Sequence, residues 1–157
     1  MKKFNLVAMG GTFDFIHKGH LTLLSEAFAI SDKVIIGLTG DEMALKKGKK
    51  LENPYSQRLE TLVKLIENNF SDSSFQISKL DNDFGPAVLE KEVQALIVSD
   101  ETSFQGDVLN KLRKEKDLPP VEVIVVPMVL AKDGLRISTT RIKNQEIDSE
   151  GNLLSID

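Results

Sequence analysis

The chain contains no cysteine in 157 residues. That absence removes disulfides, thiolate nucleophiles and cysteine-held zinc at once. A basic excess is missing too: 20 Lys and Arg stand against 24 Asp and Glu, a net charge of −4. General nucleic-acid binders carry the opposite balance, so no nucleic-acid partner is expected. A local cationic pocket for one small phosphorylated molecule remains compatible with this charge. Long apolar runs are absent as well. The longest, "VIVVPMVLA" at 123–131, is far too short to span a bilayer and contains Pro127. The start "FNLVAMGG" after Lys2 and Lys3 has no signal-type apolar region with a cleavage site. A soluble cytoplasmic protein without a membrane partner is the expectation.

Hydrophobic residues make up 41% and charged residues 28%, an ordinary globular balance. One domain of this length buries roughly two thirds of its unfolded surface. Five short apolar runs recur: 4–9, 33–38, 75–80, 95–99 and 121–126. Most are near-continuous rather than alternating, as in strands buried on both faces. Helical spacing fills three of the gaps. Leu21, Leu24, Ala27 and Phe28 share one face of the first stretch. Leu59, Leu62, Val63, Ile66 and Phe70 repeat in the second, which opens on Pro54. The third, 103–118, is weakened by Gly106 and stops at Pro119-Pro120. The fold class is therefore α/β: one Rossmann-like domain, a five-stranded parallel sheet with helices on both faces. Residues 1–150 are assigned to the domain and 151–157 to a frayed or loosely docked tail.

Histidine is scarce, and its placement is informative. The only two, His17 and His20, stand three apart in "GGTFDFIHKGH" at 10–20. The first strand ends just before this stretch, on the rim where open parallel sheets bind ligands. Gly10 and Gly11 let the chain turn and approach a ligand closely. The next helix starts near His17 to Gly19, and a helix N-terminus attracts anions. Gly19 is read as leaving room for a nucleotide. Together these parts form a phosphate cradle with two imidazole donors. Asp14 either orders the loop or serves as a turn residue. A metal site on Asp14, His17 and His20 finds no further ligand in the pattern.

A second cluster stands in "GLRISTTRIK" at 134–143. Ser138, Thr139 and Thr140 can cap a short helix and meet phosphate oxygens. "LIVSDETSFQG" at 96–106 carries Ser99, which suits an N-cap or a ligand contact, and Glu101. Arg58 either pairs with Glu60 or a nearby loop, or binds substrate. "KKGKK" at 46–50 is a solvated loop or brings one lysine to phosphate.

"GGTFDFIHKGHLTLL" resembles the signature of the T/H-x-G-H nucleotidyltransferase superfamily. "ISTT" is similar to its closing element, with Lys143 in the basic position and Arg141 as an adjacent competitor. The segments "NPYSQRLETL", "LIVSDETSFQG" and "LPPVEVIVVP" resemble the archaeal and eukaryotic type of pantetheine-phosphate adenylyltransferase. The likeness covers residues 4 to about 147. It implies a reaction of ATP with 4′-phosphopantetheine, giving dephospho-coenzyme A and pyrophosphate. It implies catalytic roles for His17, His20 and Lys46, with Lys49 as the alternative lysine. Gly10, Gly11, Thr12, Phe13, His20, Ser138, Thr139, Thr140 and Lys143 are the implied ATP contacts, with Phe13 and Phe15 equally readable as core. Thr12, Lys46, Arg58, Ser99 and Glu101 are the implied substrate contacts. Magnesium is expected to be carried by the ATP phosphates, and the assembly to be a monomer. A cytidylyltransferase, another mononucleotide adenylyltransferase, and a non-catalytic nucleotide sensor are the remaining readings.

Overall fold

The computed structural model describes residues 3–48, 50–70, 72, 74–81, 84–85, 90–100, 102–127, 129–135, 137, 141–142 and 144–154. Its five strands are β1 (Phe4–Gly11), β2 (Ser31–Thr39), β3 (Ser74–Leu80), β4 (Ala95–Ser99) and β5 (Glu122–Val126). The helices are α1 (Lys18–Ile30), α2 (Asp41–Lys46), α3 (Tyr55–Asn69) and α4 (Phe104–Glu115). Every strand pair is parallel, in the order β3-β2-β1-β4-β5.

Continuous apolar strands divide their side chains between two cores. Val7 and Met9 of β1, Val34, Ile36 and Leu38 of β2, and Ala95 and Ile97 of β4 join one cluster. Leu24, Ala27 and Phe28 of α1 close over it, with Leu62 and Ile66 of α3. Ala8, Ile35, Leu96 and Val98 point the other way and meet Leu109 of α4. Alternation along each strand thus explains why helices are needed on both faces. Gly106 explains how α4 sits so close. A Cβ there would come within 2.3 Å of a Val123 methyl on β5. Its glycine lowers helix propensity but permits the contact.

β1 lies mid-sheet. The chain runs outward through β2 and β3, then returns to the other side for β4 and β5. This reversal between β1 and β4 opens a crevice at their carboxyl ends. Among the described residues no helix is long and apolar enough to cross a membrane. Residues 148–154 turn back on the domain: Lys132 N–H donates to the Gly151 carbonyl and Leu154 N–H to the Glu146 carbonyl. Ala131, Ile137 and Ile147 form a small core of their own beside this turn.

Candidate active site

A cavity of about 180 Å³ occupies the crevice. Gly10, Gly11 and Thr12 form its wall from β1, Thr39 from β2, and Ser99 from β4. Met43 and Lys47 reach it from α2, and Thr102 and Gln105 from the approach to α4. Leu80 and Phe84 supply apolar surface.

The two histidines stand on the same rim, at the start of α1, and cap that helix reciprocally. Gly19 N–H donates to His17 Nδ1 at 3.1 Å, and His17 N–H donates to His20 Nδ1 at 3.2 Å. A neutral imidazole that accepts at Nδ1 carries its proton on Nε2. Both rings therefore carry their proton on the distal Nε2, and neither ring is among the residues that line the cavity. They stack with centroids 3.9 Å apart, and the Phe13 ring backs His20 at 4.8 Å. Burial, and secondarily the charge of His17, lowers the His20 pKa from 6.5 to about 3. His20 is thus a neutral donor at physiological pH.

Gly19 has a different job from the one its sequence suggests. A Cβ there would stand 2.8 Å from His17 Cε1. The missing side chain makes room for the folded-back His17 ring rather than for a nucleotide. The N-terminus of α1 also differs from a bare anion site. Lys18 N–H donates to the Ser149 carbonyl, and the His20 and Leu21 N–H groups donate to the His17 carbonyl. The first-turn amides are thus occupied by protein. The helix dipole and the imidazoles remain as the attraction for an anion.

Phe13 adopts a left-handed backbone, φ 53°, while only 2% exposed. Such a conformation costs a bulky residue about 1–3 kcal/mol and persists only where surroundings enforce it. Asp14 contributes to that enforcement. Its carboxylate accepts from the Glu52 and Asn53 N–H groups and from Asn53 Nδ2, each within 3.1 Å. This is the loop-ordering role read from sequence.

Arg58 lies beneath the loop, not at the cavity wall. It is 0% exposed and donates to the carbonyls of Thr12, Thr39 and Asn53 and to the Asp41 carboxylate. Without exposed surface it reaches a ligand only through the groups it holds. Glu60 is not its partner; Glu60 pairs with Lys64. The signal was spacing: Arg58, Leu62 and Ile66 occupy one i, i+4, i+8 stripe, and all three are 0% exposed.

Among the lysines, Lys47 lines the cavity and Lys46 does not. Lys46 ends α2 as a cation suited to a helix C-terminus, opposite Asp41 and Glu42 in the first turn. Lys49 lies outside the described residues. Ser99 ends β4 at the cavity but is no N-cap, since α4 begins at Phe104 after Ser103. Its N–H donates to Thr102 Oγ1 at 3.2 Å. Glu101, Ser138, Thr139, Thr140 and Lys143 lie outside the described residues. Arg141 pairs with Asp133 and Glu146. Sequence reasoning left the functional lysine of 46–50 open, with Lys46 first and Lys49 second, and it passed over Thr102 and Gln105. The last two lie within a quoted motif, one helical turn apart, so both return to the same side.

A family model described as cytidylyltransferase-like matches residues 8–145. The chain belongs to this family. It is 39% identical to the phosphopantetheine adenylyltransferase of Methanothermobacter thermautotrophicus, over 98% of this chain and 92% of that one. The same-named protein of Methanosarcina barkeri is 43% identical, covering 94% and 91%. Within the cytidylyltransferase-like family the chain thus groups with the archaeal phosphopantetheine adenylyltransferases. A solved Archaeoglobus fulgidus protein of unknown function superposes with TM-score 0.69 at 27% identity, over 80% of this chain and 89% of that one.

Proposed function

We propose that this member of the family transfers the adenylyl group of ATP to 4′-phosphopantetheine, releasing pyrophosphate and forming dephospho-coenzyme A. The observation that carries it is the capped histidine pair on the rim of the crevice, with both Nδ1 atoms engaged. The identity to relatives of that name supports the choice of substrate.

A phosphate oxygen of phosphopantetheine attacks the α-phosphorus of ATP. The new O–P bond forms as the bond to the β-phosphate bridging oxygen breaks, and pyrophosphate carries away the electron pair. No protein nucleophile is required. Catalysis rests on positioning two polyanions and stabilising the charge that develops between them. In this reading the Nε2–H groups of His17 and His20 donate to oxygens of the transferring group, and Lys47 brings positive charge from α2. Magnesium enters as part of the MgATP substrate. Among the described residues no three His, Asp or Glu side chains gather to hold a metal. The apolar Leu80 and Phe84 suit the uncharged arm of the acceptor. The working assembly is a monomer in this proposal.

The test is pyrophosphate release from MgATP or MgCTP with 4′-phosphopantetheine, nicotinamide mononucleotide or flavin mononucleotide as acceptor. The reading predicts release that needs phosphopantetheine and prefers ATP. Turnover with another pair overturns the substrate assignment but keeps the chemistry. ATP binding without turnover of any pair supports a sensor instead.

A further inference from the structure

A charged side chain without exposed surface needs partners for its N–H groups. Arg58 has four acceptors, and they come from four separate places. Nζ-type cations could not serve them, but a planar guanidinium fork can. NH1 donates to the Thr12 carbonyl at 2.9 Å and the Thr39 carbonyl at 2.7 Å. Nε donates to the Asn53 carbonyl at 3.0 Å, and NH2 to Asp41 Oδ1 at 2.7 Å. These groups are the loop after β1, the end of β2, the loop before α3, and the start of α2. Thr12 and Thr39 themselves line the cavity. The Asp41 carboxylate also accepts the Tyr55 N–H that opens α3.

Thr12 is the informative partner. All described peptides are trans, so the Thr12–Phe13 unit points its N–H opposite to its carbonyl. The carbonyl is fixed on Arg58, and the Phe13 N–H therefore points away from the guanidinium. Among the described residues this N–H has no acceptor. A hydrogen bond to a peptide carbonyl also polarises the same peptide's N–H as a donor.

A second arginine provides the comparison. Arg113 of α4 is equally 0% exposed and donates to the carbonyls of Pro119, Glu90 and Val93. None of those residues lines the cavity. Among the described residues two arginines thus form buried guanidinium ties, one beneath the loop after β1 and one remote from it.

We infer that Arg58 is a positioning residue: it holds the Thr12–Phe13 peptide so that the Phe13 N–H donates to a phosphate oxygen of the bound nucleotide. The inference rests on the adenylyl-transfer reading for its kinetic consequence.

The experiment compares Arg58→Lys, Arg58→Met and Arg113→Met. It measures thermal midpoint, kcat and KM for pyrophosphate release below all midpoints, and the ¹⁵N–¹H signal of Phe13 as MgATP is added. Both Arg58 variants are expected to lose roughly tenfold to a hundredfold in kcat, with a smaller change in KM for ATP. Their Phe13 signal stops responding to MgATP. Arg113→Met loses thermal stability but keeps kcat and the Phe13 response near wild type. Folded Arg58 variants with wild-type kcat and an intact Phe13 response overturn the inference. So does an Arg113→Met loss of kcat equal to theirs, which marks general loosening. If Arg58→Met does not fold, Arg58→Lys decides. If the wild type releases no pyrophosphate from any pair, the transfer reading fails, and the Phe13 response to MgATP still decides the role of Arg58.

Discussion

His20 combines two tasks that conflict once it is protonated. Its Nδ1 accepts the His17 N–H, and a proton on Nδ1 would turn that acceptor into a donor facing a donor. The lowered pKa, about 3, follows from burial first and His17 second. The consequence for stability has a definite sign. Below about pH 6.5 the unfolded chain binds a proton that the folded chain refuses until about pH 3. Stability from this group is complete above 6.5 and lost as pH falls toward 3, at a limiting slope of about 1.4 kcal/mol per pH unit. Urea unfolding of the wild type and His20→Asn at several pH values between about 7 and 5 checks this. The wild type is expected to lose more stability on acidification than the variant. Parallel losses would show that His20 titrates normally. Both histidines were legible in the sequence because the chain has no others. The contact that makes Gly19 necessary was not, since it depends on the His17 ring folding back over its own helix.

At the scale of elements, strands were the easier reading. The apolar runs at 75–80 and 95–99 match β3 and β4 to within a residue. Two-sided burial leaves a strong continuous signal. The short helix α2 gave none. Six residues make less than two turns, too few for a periodicity, and only Lys46 of the helix falls in the "KKGKK" stretch read as a solvated loop or a phosphate contact. Yet this helix decides which lysine faces the cavity. Lys46 belongs to its last turn, and Lys47 follows as its C-cap and lines the wall. Lys47→Ala is expected to weaken turnover and raise KM for ATP clearly more than Lys46→Ala, measured by pyrophosphate release. Equal kinetics for the two variants would remove α2 from the site. Arg58 shows the converse failure. Its spacing with Leu62 and Ile66 marked a buried position, but an arginine on a helix reads as a surface cation until its acceptors are known.

For the whole molecule, the strand order places the crevice between β1 and β4. The sequence supplied alternating strands and helices, but no local pattern states which strands become neighbours. In that order both apolar faces of the sheet are covered by helices. The crevice collects residues from across the chain: Gly10, Thr39, Lys47, Ser99 and Gln105. Motif reading found the first and the fourth, because they sit in recognisable strings; it ranked Lys46 and Lys49 ahead of Lys47 and passed over Gln105, because only the fold brings these two to the wall. The central claim is that imidazole Nε2–H groups, fixed by the helix cap, stabilise the transferring phosphoryl group. It is tested most directly by pyrophosphate release from MgATP and 4′-phosphopantetheine in the wild type and His20→Asn. Asparagine retains an oxygen for the His17 N–H but lacks the distal donor. The account predicts a folded variant whose turnover is lower by roughly a hundredfold or more. A folded His20→Asn protein turning over at the wild-type rate would contradict it.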